Sequence, residues 1–361
     1  MSEATPDDRS LIDWGLAERL AVGIAGSGLD RESVRPGEVR SAADRAVVQV
    51  GDYTGLEPLA ELPRAEAVDR PQWVRANVSA FRGMSGEVER ALSESVRIPE
   101  PFRGLVRALA GTVGGAQVGL AVGYIGRKVL GQYDVALIGP ARPPRLLFVS
   151  PNLAEAHGRL GGERDVFLHW IALHEATHAF QFASVPWLRE HLGGMVEEVL
   201  RGATLGADLS ELREALRRIL RTRDPRRLAD QLREGGLVRL LAGPREARLL
   251  HRLQAAMAVI EGYSEHVMDA IGGRLDPGYA RLREAIEAER ERRGTLDLIA
   301  ARLLGLDMKL RQYRLGKRFA DSVAERSGIA GLNEVWRAPD ALPAPEELDR
   351  PERWMARADV G

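Results

Sequence analysis

One stretch of the sequence carries residue types and spacings that could do chemistry: His169-Trp-Ile-Ala-Leu-His174-Glu175-Ala-Thr-His178-Ala-Phe-Gln. Positions i and i+4 lie on one face of a helix, so the imidazoles of His174 and His178 can converge on a single ion. Imidazole nitrogens bind Zn²⁺ at about 2.0–2.1 Å, and zinc accepts nitrogen and oxygen donors together. Glu175 follows the first His, beside the face where a reacting water would sit, and could take that water's proton as a general base. The surrounding residues Phe167, Trp170, Ile171, Ala179 and Phe182 are apolar. Two imidazoles and a carboxylate buried in such a helix would be costly without a partner. His169 lies five residues before His174, about 500° around the helix, and is off the metal face.

A catalytic zinc site uses three protein ligands and keeps the fourth position for water. The residues after His178 are Ala-Phe-Gln-Phe-Ala-Ser-Val-Pro-Trp, so no third His extends the HExxH motif, and the remaining ligand must be a carboxylate from another helix. Glu261 is the leading candidate: it follows four apolar residues, Met257-Ala-Val-Ile260, on a face expected to be buried. Gly262 would let its helix approach the HExxH helix closely, and Glu265, one turn on, is placed to hydrogen-bond a ligating His. Glu197 and Glu198 are the other candidates, but they border Arg189, Glu190 and Arg201 as a solvated face does.

Helices must hold these groups. Helical apolar spacing is found over residues 10–28, 37–49, 72–94, 102–132, 164–183, 188–200, 209–242, 245–272, 278–292 and 295–326. Val135–Ile138 and Leu146–Val149 read as a strand pair, with Pro143 and Pro144 confined to the connection. A substrate peptide would lie along an edge strand near the metal, and Leu146–Val149 is the candidate. Residues 108–126 hold no charge, but six of the 19 are Gly, so the reading is a tightly packed helix and no stable membrane span. Gly111, Gly115, Gly119 and Gly123 line one face of it. Four prolines after position 338 predict an extended tail, anchored by Trp336 and Trp354.

The chain has 361 residues, 45% hydrophobic and 29% charged, as in a globular protein. Its net charge of −1 gives no bulk reason to expect nucleic acid, and the Arg-rich region 211–252 lacks interleaved aromatics. Absence of Cys excludes thiolate metal sites, iron–sulfur clusters and a Cys nucleophile. The N-terminus lacks a basic region followed by an apolar core, so a cytoplasmic location is expected.

The segments LLFV, HEATHAFQF and IEGYSEHVMD resemble a zincin-like metallopeptidase family found chiefly in actinobacteria and associated with biosynthesis of the deazaflavin coenzyme. The tail adds LGLDMKLRQY, Gly316, Phe319 and Leu332-Asn-Glu-Val-Trp336, so the resemblance runs from about residue 115 to the end. It implies a gluzincin-like site with His174, His178 and Glu261 as Zn²⁺ ligands and Glu175 as catalytic base. The expected fold is mainly α with a small β element (α+β): the HExxH helix packs on a second ligand-bearing helix and a short strand pair. Residues 1–100 are expected to form an N-terminal helical cap and 101–361 the metallohydrolase unit. The function expected is zinc-dependent hydrolysis of a peptide or small amide. The alternative is a non-catalytic, zinc-stabilised interaction or accessory protein linked to the coenzyme. Tyr263, His266, Lys309 and Tyr313 could donate to an oxyanion, although nothing in their spacing aims them at the metal.

Overall fold

Small residues dictate how the first helices meet. In the computed structural model, α1 (Trp14–Ala25) turns Ala17, Ala21 and Ala25 toward α4 (Glu100–Gly126), and all three are buried. Facing them are Gly115, Gly119 and Gly123, where a Cβ would meet α1: at Gly119 the Ala17 carbonyl oxygen would lie at 2.8 Å, and at Gly123 the Ala21 carbonyl oxygen at 2.9 Å. The uncharged glycine-rich stretch is therefore a packed helix, and among the described residues no helix is long and apolar enough to cross a membrane. The described residues are 12–28, 33–95, 100–139, 141–205, 244–275, 277–291 and 307–360. The helix expected over 209–242 and the start of the one expected over 295–326 lie outside them.

The chain divides into two compact units that alternate along the sequence: residues 1–39 with 65–159, and 40–64 with 160–361. The first holds a three-stranded sheet of order β1-β3-β2, from β1 (Ala65–Val68), β2 (Gly131–Asp134) and β3 (Arg145–Val149). β1 runs parallel to β3 with Val68 opposite Val149; β2 runs antiparallel with Gly131 opposite Phe148 and Asp134 opposite Arg145. Leu146 to Val149 are all buried, as the apolar run predicts. Two expectations are corrected here. The partner strand is 131–134 and not 135–138. β3 is the central strand, hydrogen-bonded on both sides, so it offers no edge to a substrate peptide.

Behind the sheet, α3 (Arg70–Ser95) and α5 (Ser150–Leu160) meet through a buried guanidinium. Arg70 donates to the Asn152 amide oxygen at 2.6 Å and to Glu155 at 2.5 Å, while the Asn152 amide donates to the carbonyls of Gly126 and Val129. Every partner of this charge is spoken for, which is what its burial requires.

The second unit is helical. α6 (Arg164–Ser184) is buried around most of its circumference, at Phe167, Leu168, Ile171, Ala172, Leu173, Ala176, Ala179 and Phe180. Such a helix belongs in the middle of an assembly. At its start, Asp165 takes a two-pronged ion pair from Arg45 of α2 (Pro36–Thr54), at 2.7 and 2.9 Å. It stops at Val185, extended because Pro186 follows and opens α7 (Pro186–Leu205). α8 (Pro244–Leu275) packs on α6, α7, α9 (Pro277–Glu291) and α10 (Asp307–Asn333). The tail is only partly extended. Pro351, with its φ preset at the first helical position, starts the short α11 (Pro351–Ala358). Both tail tryptophans are buried: Trp354 stacks edge-on against Phe319 of α10 at 5.2 Å, and Trp336 against Tyr263 of α8 at 5.3 Å.

Candidate metal centre

α6 and α8 bring three chemically able side chains together. The Nε2 atoms of His174 and His178 lie 3.1 Å apart, and Glu261 Oε2 lies 3.5 Å from the first and 3.6 Å from the second. Four-residue spacing on α6 aligns the two imidazoles; α8 supplies the carboxylate from one flank. Among the described residues, His174, His178 and Glu261 are the group of His, Asp and Glu placed to hold a metal ion, and Glu197 and Glu198 are not part of it.

The hydrogen-bond partners fix which ring nitrogens face inward. The Gln181 amide nitrogen donates to the Ile260 carbonyl at 2.9 Å, which turns its oxygen toward His178 Nδ1, also at 2.9 Å. That nitrogen therefore carries a proton, with the Ser264 hydroxyl 3.3 Å away, and Nε2 is the ring nitrogen turned toward His174 and Glu261. His174 Nδ1 points at Met268 Sδ, 3.1 Å away. Three donor atoms thus converge on one point, and a cation among them, a proton or a metal ion, relieves their mutual repulsion.

Size gives a second test. Four-coordinate zinc with bonds of about 2.0–2.1 Å has donor–donor edges of about 3.3–3.4 Å. The edges found here, 3.1, 3.5 and 3.6 Å, bracket that value. Two neutral nitrogens and one carboxylate oxygen also match zinc's preference for mixed N and O donors. The residues present fit the ion.

Without a cation, the charges must compensate one another. Burial disfavours the imidazolium of His178, but the Glu261 carboxylate outweighs it, helped by Glu175 and Gln181, so its pKa is raised. Burial likewise pushes Glu261 up, but His178 and His174 pull it well below the ordinary carboxylate range. Glu175 is buried on α6 and adds its negative field at His178.

The other residues singled out by sequence have other surroundings. Glu265 is buried with its carboxylate 3.8 Å from Arg283 of α9, and Gln181 meets the second nitrogen of His178. His169 is held by the backbone of Ala42, away from the metal face. Tyr263 donates to the Asn333 amide oxygen at 2.7 Å, and that amide donates on to the Thr54 carbonyl. His266 stands five residues after Glu261, about 140° around α8. Its Nδ1 meets Asp321 at 2.9 Å and its Nε2 the Tyr53 hydroxyl at 2.8 Å. Lys317 reaches Asp321 and Asp269 at 2.5 and 3.1 Å, and Arg283 reaches Asp269 at 2.9 Å, so these ions tie α8 to its neighbours. The side chains of Lys309 and Tyr313 lie outside the described residues. Sequence reasoning missed Gln181 and Met268. Helical spacing held a signal for both, one turn beyond His178 and two turns beyond Glu261.

A model of the zincin-like metallopeptidase family matches residues 12–355. The chain belongs to that family. Its fold also resembles the crystal structure of a protein from Chloroflexus aurantiacus, described as a candidate hydrolase with a novel fold. The two are 29% identical with a TM-score of 0.67, and the match covers 97% of this chain and 99% of that one. No curated protein matches the sequence. Membership of this family implies a bound metal, typically zinc, and accords with the mainly helical architecture around a small sheet.

Proposed function

We propose that the chain is a zinc-dependent hydrolase of amide bonds, most simply a metallopeptidase, with His174, His178 and Glu261 as the zinc ligands and Glu175 as the general base. The observation that carries this reading is the convergence, 3.1–3.6 Å apart, of two imidazole nitrogens from the HExxH helix, whose motif also supplies Glu175, and one carboxylate from α8.

Zinc bound there would act as a Lewis acid toward a substrate carbonyl and would acidify the attacking water. The chain's own groups do the rest. His174 and His178 present Nε2, with Gln181 preventing His178 from turning over. The Glu175 carboxylate accepts the proton from the attacking water, then gives it to the departing amine, so the proton taken in the first step is returned in the second. Glu175 is buried on the same helix as the two imidazoles, one residue after His174. A peptide is the substrate class implied by the family and agrees with this proton shuttle.

The deciding experiment compares wild type with Glu175→Gln on a peptide library, with zinc content measured in both. The expected result is unchanged zinc content and turnover reduced by about 10²-fold or more in the variant. Retention of full hydrolysis by Glu175→Gln overturns the mechanism. A zinc-loaded wild type that cleaves no member of the library supports the alternative, a zinc-stabilised interaction or accessory protein.

A further inference from the structure

The two inward-facing imidazoles are supported differently. His178 gives its Nδ1 proton to an amide oxygen, as ligating histidines commonly do. His174 has a thioether, Met268 Sδ at 3.1 Å. Met268 is 1% exposed and stands seven residues after Glu261, two turns along the same face of α8. One helix therefore holds the His174 ring at both ends, with the Glu261 carboxylate at Nε2 and the Met268 sulfur at Nδ1.

A buried N–H left without an acceptor is costly, and sulfur, though a weak acceptor, meets this one. A methionine reaches the ring on an unbranched chain without bringing a charge into the core. Carboxylates behind ligating histidines raise the basicity of the ring; amide oxygen and thioether do so less. Neutral support at these two contacts adds no further negative charge to the centre.

We propose that Met268 is a positioning residue of the metal centre: its Sδ accepts the His174 Nδ1 proton and thereby keeps Nε2 as the nitrogen that faces the ion. The inference rests on the metal reading above, and one part of its test does not need the metal.

Zinc affinity would be measured by chelator competition on wild type, Met268→Leu and Met268→Gln. Leu fills comparable space without an acceptor, and the expected loss is about 10-fold, the low end for removing such a partner. Gln restores an acceptor on an unbranched chain and should recover most of that loss. Affinity in Met268→Leu within twofold of wild type overturns the proposal. The second measurement is the His174 tautomer in metal-free protein, read from ring ¹⁵N shifts at a pH where both imidazoles are neutral. Wild type should carry the proton on Nδ1 and Met268→Leu should show a mixture. A wild-type ring protonated on Nε2 overturns the role of Met268 whether or not zinc binds. A wild type with the expected tautomer that takes up no zinc overturns the metal reading, and with it the role of Met268 in a metal centre.

Discussion

Gly262 of α8 lies against the backbone of Gly316 in α10, and so serves that contact and not the expected approach to α6. A Cβ at Gly262 would overlap the Gly316 carbonyl carbon, and a Cβ at Gly316 would overlap the Ala258 carbonyl oxygen. The residue next to Gly262 is Glu261, so the helix contact that fixes the third donor is set by two missing side chains.

Gly316→Ala should therefore destabilise the protein by about 1–3 kcal/mol, since overpacking outweighs the gain in helix propensity. Gly194 in α7 is the control, with nothing within 4 Å of a Cβ placed there. Gly194→Ala should be neutral or stabilising by up to about 1 kcal/mol. Urea titrations of the two variants test the pair of signs together.

Elemental analysis of tag-free protein should find about one zinc per chain, with His178→Ala and Glu261→Ala each losing it. Retention of zinc by Glu261→Ala would place the third ligand elsewhere.

Zinc uptake should be coupled to proton release. The raised pKa of His178 means that its imidazolium is paired with Glu261 in the metal-free protein at neutral pH. That pairing stabilises the metal-free fold below the ordinary His range and is lost as pH rises through the raised value. Zinc must displace the proton, so affinity should climb with pH across the same window. Calorimetry in buffers of different ionisation enthalpy should give close to one proton released per zinc at pH 7. No release would show that His178 is already neutral.

The acid limb of stability should depend on Asp321. Burial pushes its pKa up, but the hydrogen bonds from His266 and Lys317 and the Lys317 charge prevail and leave it lowered. A carboxylate lowered on folding contributes stability that is present above its ordinary range and lost as pH falls through the folded value. Asp321→Asn should be less stable than wild type at pH 7, and the gap should narrow below about pH 4. A gap that is constant with pH would assign the loss to packing.

The legible parts of the sequence were those set by local spacing. HExxH declares two ring nitrogens on one helical face, and Glu261 stands out because a carboxylate after four apolar residues needs a reason to be buried. β3 was legible as the apolar run Leu146–Val149. β2 was not, since Gly-Gln-Tyr-Asp has no apolar run and is a strand only because β3 pairs with it. β1, Ala-Glu-Ala-Val, is too short to show a period and depends on the same partner. Gln181 was within reach of His178 by helical spacing alone, whereas the Met268 contact with His174 needs α6 and α8 together. The approach of Arg283 to Glu265 was not legible either, since α9 brings it there from another part of the chain.

The separation of the donors along the chain has a consequence for folding. His174 and His178 are on α6 and Glu261 on α8, 83 residues after His178. The site exists only when both segments are in place, so an ion held there binds the folded chain and not the unfolded one. A chelator would then remove more than a Lewis acid: it would take away a fastening that holds two distant segments together, and the folded state would lose stability by the free energy of that binding.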